Sequence, residues 1–272
     1  MDYWEGYCYL SLSGEEKLRI YAISDIHIDF AENLRWLNNL SFFDYLNDVL
    51  ILAGDVTHII SLFEKTIRDL RKRFFEVLFI PGNHDLWVRH SNAMIRDSFE
   101  KLELIKTIAS DCGIKMEPVH LSSVSIIPLF AWYDFSFAKP DPEISKLWID
   151  YIACKWPERC NEESLTQYFI AQNKFNTELN PNQFVISFSH FLPRIDIMPI
   201  YIPAEKRSLY PMLGTVLLEK QIRHLGSNIH VYGHSHINNS VAKDNTLYIN
   251  NAFGYPYETL ITAKKLKCIF EM

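Results

Sequence analysis

Two short polar pairs with the same spacing stand far apart in the chain: Asp25-Ile26-His27 and His234-Ser235-His236. Each follows an apolar run. In extended backbone, side chains two residues apart leave the same face, so either pair can grip one ion. Three more polar clusters share that setting: Gly54-Asp55 after DVLILA, Gly82-Asn83-His84-Asp85 after VLFIP, and His190 at the end of FVISFSH. Strand ends with short following loops are where open α/β sheets gather their ligand chemistry. Glycine precedes three of the motifs, which lets backbone and substrate approach closely.

The donors are carboxylates, imidazoles and one amide, without thiolate. Such a set suits Mn²⁺, Fe²⁺/Fe³⁺ or Zn²⁺. Asp25, His27, Asp55, Asn83, His190, His234 and His236 are too many for one ion and fit two that share a carboxylate. Two aspartates against two divalent ions leave the centre net positive, as a phosphate site requires. Paired ions of this kind clamp the attacking and leaving oxygens of an in-line phosphoryl displacement.

The elements that must position these residues fall into two groups. Strands over 18–24, 48–54 and 77–80 alternate with helices over 31–40, through Ile60, Phe63, Ile67, Leu70 and Phe74, and over 91–111. That order predicts parallel strands with right-handed crossovers. Short β-branched runs at 123–130, 184–190, 228–234 and 246–252 predict a second sheet. Residues 132–180, rich in Trp and Tyr, interrupt it as an embedded cap; Trp132 and Tyr133 are expected to reach the substrate pocket. No repeat or linker appears, so a single domain over 1–272 is expected.

Composition narrows the class. With 48% hydrophobic and 22% charged residues the chain is globular. A net charge of −6 argues against binding extended nucleic acid. YWEGYCYLSL has neither the charged start nor the apolar core of a signal peptide, and no run approaches the roughly 20 apolar residues that span a bilayer. Five cysteines without a CxxC pair read as free thiols. A soluble cytoplasmic protein acting on a small phosphorylated substrate, nucleotides included, is expected, with no membrane partner; the oligomeric state stays open.

The ordered set DxH…GD…GNHD…H…GHxH, over residues 25–236, resembles the calcineurin-like metallophosphoesterase superfamily. The resemblance implies an α/β fold, a four-layer α/β/β/α sandwich of two mixed sheets flanked by helices. It implies a dinuclear metal-dependent phosphoesterase in which a metal-bridging hydroxide attacks a phosphomonoester or phosphodiester. By the same resemblance Asp25, His27, Asp55 and His236 hold the first ion, Asp55 bridges, and Asn83, His190 and His234 hold the second. His84 would contact substrate and protonate the leaving group, with Asp85 orienting it. Protein Ser/Thr phosphatases carry GDxVDR, whereas this chain has GDVTHII with Ile59 at the arginine position, which points away from that branch. A nuclease for short oligonucleotides and a scaffold without catalysis are the alternatives. Such scaffolds usually lose ligands or the histidine of GNHD, and all are present here.

Several other residues have plainer readings. His58 follows Asp55 closely enough for a role near the first ion, but the ligand set is already full. His90, His120, His224 and His230 read as surface or core histidines. Arg194, Lys206 and Arg207 follow His190, where anion contact and simple solvation are equally open.

Overall fold

Every residue of VLIL (Val49–Leu52) and IHVY (Ile229–Tyr232) is buried. Such strands need cover on both faces, and here a second sheet and a helical layer supply it. The computed structural model describes residues 17–88, 95–173 and 183–272. Its strands are β1 (Arg19–Ile23), β2 (Val49–Leu52), β3 (Glu76–Phe79), β4 (Val119–His120), β5 (Val124–Pro128), β6 (Phe184–Phe188), β7 (Ile229–Tyr232), β8 (Asn239–Lys243), β9 (Thr246–Asn250) and β10 (Lys267–Glu271). One sheet runs β10-β1-β2-β3, the other β4-β5-β6-β7-β9-β8. The central strands are parallel; β10, β4 and β8 are antiparallel edges. With helices outside, this is the expected four-layer sandwich.

The helices are α1 (Ala31–Asn38), α2 (Ile60–Arg71), α3 (Ser98–Asp111), α4 (Pro142–Leu147), α5 (Asp150–Ala153), α6 (Glu162–Ile170) and α7 (Val216–Leu225). α2 buries Phe63, Ile67 and Leu70 at helical spacing, each contributing about 1.5–3 kcal/mol of apolar burial. The expected period ran on to Phe74, but the helix stops at Arg71. Phe74 is still core, stacked on Tyr45 with ring centroids 5.1 Å apart. α3 starts later than residue 91, because the Asp97 carboxylate caps the Glu100 N–H at 2.9 Å. Residues 91–94 of that expected helix, and His90 just before it, lie outside the described residues.

The aromatic insert is the crossover from β5 to β6 and carries α4, α5 and α6. Trp132 and Tyr133 are each 1% exposed, and Trp132 packs on Tyr133, Trp156, Phe169 and Phe191 at centroid distances of 5.1–5.9 Å. The expectation that these two rings line the pocket is therefore corrected. Large apolar rings between α6 and the sheet gain more from burial than from a wet cleft.

The two sheets meet just past their strand ends. Ser24 N donates to Asn251 O at 3.2 Å, and Phe253 N donates to Ser24 O at 2.8 Å. This junction fixes the loops after β1 and β9 against each other. Among the described residues no helix is long and apolar enough to cross a membrane.

Candidate metal centre

All seven expected donors stand in the loops that leave β1, β2, β3, β6 and β7. Asp25, His27, Asp55, His234 and His236 have φ of 52, 37, 56, 65 and 52°. Each is a left-handed conformation that costs a non-glycine residue energy and persists only where the surroundings impose it. The extended-backbone account of the two spaced pairs is thus replaced: tight left-handed turns, not pleat alternation, aim their side chains together. The loops brace one another to hold this. Asp25 N donates to Gly54 O at 2.9 Å, His27 N to Asp55 O at 3.1 Å, and His234 N to the Asp25 carboxylate at 3.1 Å.

Glycine matters at two crowded points. A Cβ on Gly82 would collide with the Asp55 carboxylate and the His190 ring, and one on Gly233 would lie 2.7 Å from Asp25 Oδ2. These glycines make room for donor side chains rather than for substrate.

Two donor groups result, Asp25, His27, Asp55 and His236 in one, Asp55, His190 and His234 in the other. His27 Nε2 lies 3.0 Å from His236 Nε2, which is 3.2 Å from Asp25 Oδ1. His190 Nε2 lies 3.1 Å from Asn83 Oδ1 and 3.2 Å from His234 Nδ1. Donor separations near 3 Å suit ligands held about 2.1 Å from one ion. Asp55 belongs to both groups: its Oδ2 is 3.9 Å from His27 Nε2 and 3.5 Å from His190 Nε2, while its Oδ1 accepts the His84 N–H at 2.9 Å.

Outer partners fix the imidazoles. His190 Nδ1 faces Ala53 O at 2.9 Å, His234 Nε2 faces Met212 O at 3.0 Å, and His236 Nδ1 faces Glu258 at 2.7 Å. This pattern sets the tautomer of metal-binding histidines. Burial and the neighbouring imidazoles hold His27 well below the ordinary range and His234 down to about 3, which favours the neutral form that binds metal. Burial, with Asp25 and Asp85 nearby, pushes the Asp55 carboxyl well up. A bound cation relieves that penalty.

His84 stacks on Trp87 with centroids 3.5 Å apart, and its Nε2 is 3.9 Å from Asp55 Oδ2 at the edge of the cleft. Asp85 has a different task from the expected one. Its carboxylate accepts the N–H groups of Asp55, Val56, Thr57 and Gly82 at 2.8–3.1 Å, knitting two donor loops together instead of orienting His84. The short backbone loops offer four N–H groups that a buried carboxylate satisfies well.

Three site residues went unread in the sequence. Buried Asp150 accepts from Asn83 Nδ2 at 2.9 Å, Trp87 Nε1 at 2.7 Å and Trp148 Nε1 at 2.8 Å. It thereby turns the Asn83 carbonyl oxygen inward and fixes the ring beneath His84. Tyr255 and Glu258 come from the loop after β9. The insert does reach the cleft, of about 350 Å³, through Leu147, Trp148 and Ile149.

The remaining candidates lie elsewhere. His58 pairs with Asp29 at 3.3 Å, and His230 is buried between the hydroxyls of Ser187 and Ser189. Arg194 is engaged by Asp196, Glu219 and Asp244, and Arg207 bonds the carbonyls of Ile200 and Ile202.

Asp150→Asn should weaken one ion about 10–100-fold, the usual cost of losing an outer partner, and leave the other in place. Metal titration should then give one tight and one weak site; two tight sites would show that Asn83 does not depend on Asp150.

Two mixed sheets with acid and imidazole donors gathered at their strand ends are the frame of a phosphoesterase. The profile described as calcineurin-like phosphoesterase matches residues 18–238, and the chain belongs to that family. It is 29% identical over 146 residues to the [acyl-carrier-protein] phosphodiesterase PptH of Mycobacterium tuberculosis, a match over 49% of this chain and 43% of that protein. The matched segment is thus less than half the length of that relative. The crystal structure of the phosphopantetheinyl hydrolase PptH from Mycobacterium tuberculosis superposes with a TM-score of 0.79, at 22% identity, over 93% of this chain and 96% of that one. It has the same fold.

Proposed function

We propose that this chain is a dinuclear metal-dependent hydrolase of phosphodiesters. The observation that carries the reading is Asp55, the one residue common to both donor groups. Two divalent ions held there would supply an acidified water for attack on phosphorus and positive charge for the phosphoryl oxygens. The chain's own residues do the rest. Asp25, His27 and His236 complete one ion's set, and Asn83, His190 and His234 the other's. His84 meets the substrate at the mouth of the cleft.

The mycobacterial relative is an acyl-carrier-protein phosphodiesterase and phosphopantetheinyl hydrolase, which favours a diester over a monoester and makes a phosphopantetheinylated protein a substrate worth testing. No Lys or Arg lines the cleft among the described residues, which weighs against a nuclease.

The test is reconstitution of metal-free protein with Mn²⁺, followed by metal analysis and assays on bis-p-nitrophenyl phosphate and p-nitrophenyl phosphate. About two ions per chain, activity lost to chelators and faster turnover of the diester are expected. Absence of bound ion, or hydrolysis that survives chelation, would overturn the reading.

A further inference from the structure

The loop after β9, residues 251–262, lies beyond the span that matches the family, 18–238. It is nonetheless built onto the centre. Asn33 Nδ2 donates to Gly254 O at 3.0 Å and to Ile26 O at 2.9 Å, tying this loop to the one that carries His27. Lys264 Nζ donates to the carbonyls of Phe253, Gly254 and Tyr255. Gly254 has φ of 69°, and a Cβ there would lie 2.6 Å from Glu258 Oε2. That carboxylate in turn accepts the Tyr255 N–H at 2.7 Å and holds His236.

All of this places one side chain. The Tyr255 ring stacks on His27 at 4.6 Å and meets His236 edge-on at 4.8 Å. Its hydroxyl lies 3.4 Å from His84 Nε2, inside the same cleft as Asp55 and Asn83. Two donors that far apart can both reach one oxygen at about 2.8 Å. We infer that Tyr255 is a second substrate-contacting residue, donating its O–H to the same ester oxygen that His84 meets. This rests on the phosphoesterase reading above. Simple packing would need only the ring, and so the hydroxyl is what has to be tested.

Tyr255→Phe keeps the ring and removes the donor. With Mn²⁺ content and melting temperature at wild-type values, it should lower kcat/KM for a phosphodiester about 10–100-fold and weaken orthophosphate binding, read by calorimetry, about 10-fold. In the His84→Ala background the same change should cost much less, since the two donors share an acceptor. Wild-type turnover and phosphate affinity in Tyr255→Phe, with damage only in Tyr255→Leu, would show a packing role and overturn the inference. Additive losses in the double variant would overturn the shared oxygen. A wild type that neither turns over diester nor binds orthophosphate would instead sink the functional reading itself, and this contact with it.

Discussion

Asp55→Ala is expected to lower kcat/KM by at least about 10³-fold, more than any other ligand change, because both ions lose their charged partner at once. Oδ2 stands between His27 and His190, and Oδ1 holds the His84 backbone N–H. Removal therefore also frees the loop that presents His84. The metal-free protein should respond in the opposite sense. Burial, Asp25 and Asp85 push the Asp55 carboxyl well up, so at neutral pH its charged form is strained in the folded state and relaxed in the unfolded one. By linkage that strain grows as pH rises above the ordinary carboxylate range. The metal-free variant should melt higher than metal-free wild type at neutral pH, and it should gain little on addition of Mn²⁺. Thermal melts with and without metal, alongside metal analysis, check both halves. Two tightly bound ions in the variant would rule out a shared Asp55.

Much of this centre was legible because strand-end position and residue type agree. VLIL and IHVY read as buried strands, and Asp55 and His234 follow them within a few residues. The same logic applied to TLYINNA would have led on to Tyr255 and Glu258, but that run ends in neutral asparagines and carries no ligand at its tip. β8, NSVAK, escaped notice because only alternate residues are partly buried. Its partner is set by the Asp244-Asn245 turn, both residues at positive φ, as a two-residue hairpin requires.

Asp150 was illegible for a different reason. It sits in an insert that reads as aromatic packing, and nothing local marks a carboxylate that reaches Asn83 across 67 positions of sequence. Asp85 shows the converse error. The family resemblance implied that it orients its neighbour His84, whereas backbone N–H groups 28–30 residues away in sequence claim its oxygens. Short motifs reveal which residue types gather, but the pairing among them is decided by loops that only the folded chain brings together.

His84→Ala tests the last step of the chemistry. In the proposed donor set Asn83, not His84, is the ligand, so metal content should stay at the wild-type level. A positioned proton donor contributes roughly 10²–10⁴-fold, and more when the leaving oxygen is a poor anion. Burial and the imidazoles of His27, His236, His190 and His234 push His84 well below its usual range. An anionic substrate beside it would oppose that push, so proton delivery by His84 would depend on an occupied cleft. p-Nitrophenolate leaves readily without a proton; an alkoxide does not. The variant should therefore slow an alkyl phosphodiester at least about ten times more than an aryl one, compared at equal metal occupancy. Equal losses on both substrates, with both ions retained, would make His84 a phosphate-binding residue and leave protonation to another group in the cleft.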